Sequence, residues 1–362
     1  MRVPGLAVAS PAAAARAFRR ARPFRHAAID GFLTPALARA LRRDLAADTR
    51  EAFLEGRDLA GSFAICRRPE VIGPGFRRLQ ALLDSPALLR WLEALSGVRG
   101  LRRNADETCG GLFRYDHDAE MDVHLDSHDV DAHCAQTGHP RKLNLLLYLS
   151  HGWKAEWGGL FEAYRDPSRQ PESVIAPLFN RCVVFDNHHH SWHGVTRVDL
   201  PVAERARARY AMIANYYSAD PAGTRRAPPR HNWWMPRPLP AHLRPGRKVT
   251  LADALEYARL DARRDQRLRE LRELERCCRE LRERPGRAVA APAPPPAPGR
   301  FGVLDAIPPF LRPGRVLSRA DAAAARRTFA AKDRELRRLY ARQYGFIRAL
   351  KAAAPHLAPA GY

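Results

Sequence analysis

The chain has 362 residues, 46% of them hydrophobic, and a formal charge of +22. That length and apolar content provide for a sizeable core and exclude wholesale disorder, and no run approaches the roughly 20 apolar residues that a membrane-spanning helix needs. The charge is lopsided: residues 223–362 hold 31 Lys+Arg against 13 Asp+Glu, a net of +18, which leaves +4 for residues 1–222, so the basicity belongs to the tail. Arg far outnumbers Lys and Ala and Pro are frequent, so part of this charge reflects a GC-rich coding bias.

Residues 1–23 read as a disordered leader. They are rich in Ala and Arg and hold no acidic residue, a composition like that of a transit peptide, while Pro4 and Pro11 argue against a secretory signal. Residues 24–220 read as one domain. It opens with Ile29-Asp30-Gly31-Phe32-Leu33, a short strand running into a helix with Thr34 as N-cap, Pro35 in the first turn, and Leu37, Leu41 and Leu45 as an apolar stripe. A second helical segment near 76–94 carries Leu79, Leu82, Leu83, Leu88, Leu89 and Leu92.

From Gly110 the pattern changes to short strands between Gly, Pro, Asn and Asp: residues 111–115, 143–149, 160–164, 181–185 and 210–217. Helices first and strands after predict an α+β fold, with N-terminal helices supporting a double-stranded β-helix, or jelly roll.

The extension is helical and Pro-rich. A Pro/Arg-rich linker spans 221–250 and a basic helix 251–285, with Thr250 as its cap. Glu275–Arg279 and Glu280–Arg284 are spaced as i,i+4 ion pairs, and Leu271, Leu274, Cys278 and Leu281 make a short heptad-like seam. An Ala/Pro linker covers 286–300, densest from 290 to 299, and a helical segment closes the chain over 301–362. The cysteines, Cys66, Cys109, Cys134, Cys182, Cys277 and Cys278, form no CxxC pair, and a vicinal disulfide is awkward. Reduced thiols in a cytoplasmic protein follow.

His124-Leu125-Asp126 is the sole His-x-Asp. On an extended strand its His and Asp point the same way and can share a metal. Two imidazoles and one carboxylate on one face of an iron leave three positions open. His117, His128, His133, His139 and the run His188-His189-His190 offer rival ligands, and Asp129 and Asp131 read as a solvated loop. The context is ordered: Tyr115; His124-Leu-Asp126; Arg141-Lys-Leu-Asn-Leu-Leu-Leu-Tyr-Leu149; Trp153; Trp157-Gly158-Gly159-Leu160; Ser191-Trp192-His193-Gly194-Val195; Arg209-Tyr-Ala-Met-Ile-Ala-Asn-Tyr-Tyr217.

This order resembles the prolyl-hydroxylase-like branch of the Fe(II)/2-oxoglutarate-dependent oxygenases, over residues 29–218 and most strongly from Gly111. The resemblance implies that His124, Asp126 and His193 ligate Fe(II). It also implies that Arg209 grips the distal carboxylate of 2-oxoglutarate, that Tyr148 donates a hydroxyl to it, and that Tyr115 lies near metal and cosubstrate. A guanidinium suits that task as a permanently charged, bidentate partner for a carboxylate. The cosubstrates are then 2-oxoglutarate and O2, with ascorbate as a further reductant. The reaction is hydroxylation of an unactivated C–H bond in a protein prolyl residue, or in a small molecule or glycan. Asp126 argues against the related halogenases, which lack that carboxylate.

Departures are visible too. The interval from His193 to Arg209 is long, and Arg205, Arg207 and Arg209 share strand parity, with Arg207 the second candidate. Ser150 stands where the family has Asn. Trp153, Trp157 and Trp192 read as packing residues and Gly158-Gly159 as a tight hairpin. Trp233-Trp234 between Arg230 and Arg237 invites a nucleic-acid reading, but packing is favoured because no nucleic-acid module accompanies it. Two rival functions are a jelly-roll binding protein whose tail holds nucleic acid or an acidic partner, and a zinc hydrolase built on His133, Cys134 and His139. The zinc cluster lacks a fourth ligand at zinc spacing.

Overall fold

The computed structural model describes residues 3–46, 49–58, 61–103, 110–126, 137–220, 232–283 and 307–353. The chain divides into two units, one of Met1–Arg165 and Pro171–Asn232, the other of Asp166–Gln170 and Trp233–Tyr362. The described part of the second unit's main stretch begins at Trp233, and the expected boundary at 220 adjoins residues outside the described ones. The loop around His128, His133 and Cys134, the stretch 221–231 with Arg230, and the Ala/Pro stretch 290–299 lie outside the described residues.

The leader is not a separate disordered segment. Helix α1 (Ala12–Arg20) buries Ala15 and Phe18, and Val3, Leu6 and Phe18 join the main core. Burial of that one apolar stripe outweighs the Ala/Arg composition on which the leader expectation rested. Strand β1 (His26–Ile29) comes earlier than expected, and a turn follows it before α2 (Pro35–Ala46). The segment near 76–94 is two helices, α3 (Pro74–Leu83) and α4 (Pro86–Ser96). Pro86 cannot continue a helix, and the Ser85 hydroxyl accepts from Leu88 N at 3.1 Å to cap the new one.

The remaining strands are β2 (Leu54–Asp58), β3 (Gly61–Cys66), β4 (Arg102–Arg103), β5 (Gly111–Tyr115), β6 (Met121–Leu125), β7 (Arg141–Tyr148), β8 (Phe161–Tyr164), β9 (Ser173–Ile175), β10 (Cys182–Asp186), β11 (Trp192–Val195) and β12 (Arg209–Tyr217). They run in the order β1-β10-β7-β12-β5-β3-β6-β11-β8-β9, with β2 on β3 and β4 on β12. Every named pairing within this unit is antiparallel.

Alternation places the core on one face and the site on the other. Leu143, Leu145, Leu147, Met212, Ala214, Tyr216, Cys182 and Val184 face the helices, packed with Phe32, Leu41, Phe76, Leu83 and Trp91. Leu146, Tyr148, Ala211, Val183 and Phe185 face inward with Phe161 and Ala163. Both faces are covered, which is why β7 reads as a nearly continuous apolar run.

In the second unit, α5 (Leu251–Glu283) and α6 (Arg319–Ala353) follow a short strand, β13 (Trp233–Met235). Ion pairs in matching order, Lys332 with Asp261, Arg264 with Asp333 and Arg342 with Glu275, run the two helices parallel. Glu275 thus faces α6 rather than Arg279, and Arg276 makes the intrahelical pairs with Glu273 and Glu280. Among the described side chains the buried seam holds Leu268, Leu271, Leu274 and Cys277; those of the expected Cys278 and Leu281 lie outside them. The expected linker 221–250 is packed over its described part: Leu243 and Val249 share a core with Tyr257, Leu311 and Phe329. Trp233 stacks on Tyr340 at 5.7 Å and Trp234 is buried, as packing residues are. No helix among the described residues is long and apolar enough to cross a membrane.

Candidate active site

β6 carries His124 near its end, with Asp126 just beyond. β11 lies antiparallel to it with His193 directly opposite His124. Directly opposed residues on neighbouring strands bring their side chains together, and here the ring centroids are 4.1 Å apart. Asp126 Oδ1 lies 3.5 Å from His124 Nε2, and Oδ2 lies 3.7 Å from His193 Nε2. The three ligand atoms fall within 4.8 Å of one another, and this is the one such group among the described residues.

Each imidazole turns Nδ1 toward the carbonyl two residues earlier, His124 to Asp122 O at 2.9 Å and His193 to Ser191 O at 2.8 Å. A carbonyl can only accept, so Nδ1 carries the hydrogen and Nε2 is left as the electron-pair donor that a metal needs. Burial, reinforced by the His124 ring, pushes the His193 pKa down to about 3 against the opposing field of Asp126, so this ring is neutral. Burial pushes the Asp126 carboxyl up, but its contact with His124 and the fields of His193 and Arg141 outweigh that and hold it well below the usual carboxylate range. Two imidazoles and one carboxylate fit a divalent iron.

Arg209 opens β12 opposite Tyr115 and is buried. Its Nε donates to Gly159 O at 2.7 Å. Its guanidinium lies 4.8 Å over the Tyr115 ring and 5.0 Å over the Tyr148 ring. Arg209 Nη2 and the Tyr148 hydroxyl are buried and, among the described residues, meet no acceptor oxygen that satisfies them, the two side chains lying beside one another. Burial lifts the Tyr148 pKa to about 12 despite Arg209, so the phenol stays a donor at neutral pH. Buried donors require acceptors, and a carboxylate with several lone pairs satisfies a guanidinium and a phenol at once.

The Gly pair of the Trp-Gly-Gly motif is more than a hairpin. Gly158 and Gly159 take φ of +71° and +68°, and a Cβ on Gly159 would stand 2.5 Å from Arg209 Cδ. Arg207 is on the surface, paired with Glu204 and lying over Trp157, and Arg205 is exposed. A 3-10 turn at Val202–Glu204 takes up part of the long interval after His193, and residues 205–208 are not extended strand, so the parity expected of these arginines does not hold. Ser150 ties the end of β7 to the start of β12, donating to Ala208 O at 3.1 Å and accepting from Tyr210 N at 2.6 Å. His188 Nδ1 accepts from His190 N at 2.9 Å. Trp153 and Trp157 pack edge to face at 5.5 Å.

Sequence reasoning missed Arg141 and Asn144. Arg141 Nη1 lies 3.4 Å from Asp126 Oδ2, and Asn144 Nδ2 donates to the same oxygen. The available signal was Asn144 inside the apolar run of β7, sharing parity with Tyr148, and Arg141 at the strand's start.

The fold and this constellation define a non-haem iron oxygenase of the jelly-roll type. Residues 110–217, the stretch that holds His124, Asp126, His193 and Arg209, match the family model of the 2OG-Fe(II) oxygenase superfamily, and the metal and cosubstrates that this match and the His–Asp–His group imply are Fe(II), 2-oxoglutarate and O2. No curated protein matches the chain. Among solved structures, a Trichoplax adhaerens prolyl hydroxylase in complex with a hypoxia inducible factor peptide is 17% identical, covering 57% of this chain and 90% of its own, with a TM-score of 0.41. A Pseudomonas putida prolyl-4-hydroxylase is 16% identical over 57% and 99%, with a TM-score of 0.38. A 2OG-Fe(II) oxygenase family oxidoreductase from Burkholderia pseudomallei is 17% identical over 61% and 97%, with a TM-score of 0.37.

Proposed function

We propose that this dioxygenase hydroxylates an unactivated C–H bond, and that its substrate is a prolyl residue in a peptide or protein. The carrying observation is the pairing of a complete His124–Asp126–His193 group with two buried donors, Arg209 Nη2 and the Tyr148 hydroxyl. The order of motifs from Tyr115 to Arg209, like that of the prolyl-hydroxylase branch, supports the substrate class.

In this reading His124, Asp126 and His193 hold the iron, and Arg209 and Tyr148 hold the distal carboxylate of 2-oxoglutarate. When bound, the two supply oxidative decarboxylation of 2-oxoglutarate by O2 to succinate and CO2, with one oxygen atom transferred to substrate. The residues supply geometry. Nδ1–H bonds fix both imidazoles. Tyr115 and Tyr148 wall the guanidinium so that its charge meets a carboxylate in low dielectric, where the attraction is strongest. Phe161 and Phe185, 5.8 Å and 4.6 Å from the His193 ring, keep water from that side. A complete ligand group opposes a purely binding role for the jelly roll.

A reducing, cytoplasmic setting is part of the proposal, supported by the buried free thiols Cys66, Cys182 and Cys277. The test is succinate formation by the full chain with Fe(II), 2-oxoglutarate and a panel of proline-containing peptides. Expected are peptide-dependent succinate and a peptide heavier by one oxygen at proline. Substrate-independent succinate with no peptide oxidised would refute the prolyl substrate and leave the dioxygenase class standing.

A further inference from the structure

Asp126 is held by donors from β7. Its Oδ1 lies 3.5 Å from His124 Nε2 and its Oδ2 3.7 Å from His193 Nε2. Oδ2 alone also receives the Asn144 Nδ2 hydrogen bond and lies 3.4 Å from Arg141 Nη1. Asn144 is 2% exposed and Arg141 is 2% exposed, so neither contact is diluted by water. Both come from β7, whereas Asp126 follows β6. The two strands belong to different stretches of the sheet order, separated by β12, β5 and β3.

The backbone fixes Asn144 more firmly than its side-chain length suggests. It sits between Phe185 of β10 and Asn215 of β12 in a continuous antiparallel ladder. The amide orientation is set by chemistry, because the reverse flip would put Oδ1 against a carboxylate oxygen, acceptor against acceptor. Among the described residues Asn144 Oδ1 has no hydrogen-bond partner, and the bond from Nδ2 to Asp126 is the one shown for this side chain. Arg141 reaches the same oxygen from a less regular position, since the β12–β7 register shifts between Tyr216 and Tyr217, and Tyr217 pairs with Arg141.

A carboxylate can bind a metal through one oxygen or two. An oxygen already engaged by an amide and a guanidinium is a poor second ligand, since its lone pairs are in use. We propose that Asn144 is a positioning residue: with Arg141 it engages Asp126 Oδ2, presents Oδ1 alone to the metal, and so preserves the coordination position that a bidentate carboxylate would take. This rests on the reading of His124, Asp126 and His193 as the iron ligands. Asn144 is the sharper of the two to test, because its amide is neutral and its removal leaves the site's charge unchanged.

The test is Co(II) binding to the full chain, followed through the visible d–d absorption, with no turnover involved. N144L removes the donor at similar volume. N144T keeps a neutral donor on the same strand. N144L is expected to weaken Co(II) binding by about 10- to 100-fold, the usual effect of losing an outer partner of a ligand, and to shift the d–d bands as the carboxylate turns bidentate. N144T is expected to stay closer to the wild type in both affinity and bands. A merely structural role would not move the d–d bands in N144L and spare them in N144T. If N144L is too unstable to measure, N144A takes its place. Wild-type affinity and spectrum in the variant that lacks the donor, with the fold intact by circular dichroism, would overturn the proposal. H124A separates the two readings: if it binds Co(II) as the wild type does, the metal site itself is misassigned and the proposal falls with it. If H124A loses Co(II) while N144L does not, only the role of Asn144 fails.

Discussion

Gly159→Ala is a substitution of one methyl group whose effect is calculable at two sites. At φ of +68° an L-residue is strained, by about 1–2 kcal/mol. The added Cβ would also stand 2.5 Å from Arg209 Cδ and 3.1 Å from its Nε. Arg209 is buried between Tyr115 and Tyr148 and has no free direction in which to retreat, so overpacking adds about 1–3 kcal/mol. The expected loss of stability is about 2–5 kcal/mol in urea unfolding. Displacing the guanidinium also weakens its charged hydrogen bonds, worth about 1.5–3 kcal/mol each, so the dissociation constant for 2-oxoglutarate should rise by about 10- to 100-fold. Calorimetric titration of 2-oxoglutarate into metal-loaded protein without O2 reads this directly. Gly152→Ala is the control: its φ is +69° and a Cβ there meets nothing within 4 Å. It should lose about 1–2 kcal/mol and leave 2-oxoglutarate binding unchanged. Equal effects of the two substitutions, on stability and on binding, would refute the reasoning.

Four further outcomes are expected. H124A, D126A and H193A should each abolish 2-oxoglutarate turnover in a folded protein, and normal turnover in D126A would remove Asp126 from the ligand set. R209A should raise the apparent constant for 2-oxoglutarate by roughly 100-fold or more, because truncating a buried charged partner costs about 3 kcal/mol or above. R207A, at an exposed pair with Glu204, should do little, and the reverse result would shift the assignment by two residues. The neutral His193, with its pKa at about 3 against roughly 6.5 unfolded, contributes stability that is complete above about pH 6.5 and lost as pH falls toward 3. Metal-free protein should therefore lose stability over that window with a slope up to about 1.4 kcal/mol per pH unit from this group. H193L should show a shallower slope in urea melts, and an unchanged slope would contradict the neutral ring. In the second unit, R264A should cost about 3–5 kcal/mol by stranding Asp333. D333N should cost less, because Arg264 keeps its bonds to the Leu260, Pro236 and Arg237 carbonyls, and equal losses would deny the ion pair its role.

The chemistry was legible to different depths along the chain. His124-Leu-Asp126 and Trp192-His193-Gly-Val195 stand out because ligands need particular residue types at spacings set by strand geometry. The apolar runs of β7, β10 and β12 were legible for the same reason, since strands covered on both faces carry little else. Helix α1 was not legible, because its composition is that of a leader and only its packing against the core tells otherwise. The break between α3 and α4 was written in Ser85-Pro86 and overlooked. The packing of the expected linker was hidden because Pro- and Arg-rich sequence reads as linker whether or not Leu243 and Val249 find a core.

What the sequence determined by itself is the inventory and its order: one His-x-Asp, a distal His before Gly-Val, an arginine opening the last strand, a glycine pair after tryptophan. What only the tertiary structure decided is which of these meet. Arg209 rather than Arg207 enters the interior because β12 begins at Arg209, whereas Arg207 lies in the irregular segment before it, where strand alternation does not apply. Gly159 is required because an arginine 50 residues away packs against it. Asn144 reaches Asp126 because β6 and β7 are brought together by strands that lie elsewhere in the chain. Local residue types specify what each strand can carry, but the approach of one strand to another is set by burial of the whole sheet against the helices, a sum over many residues that no short motif contains.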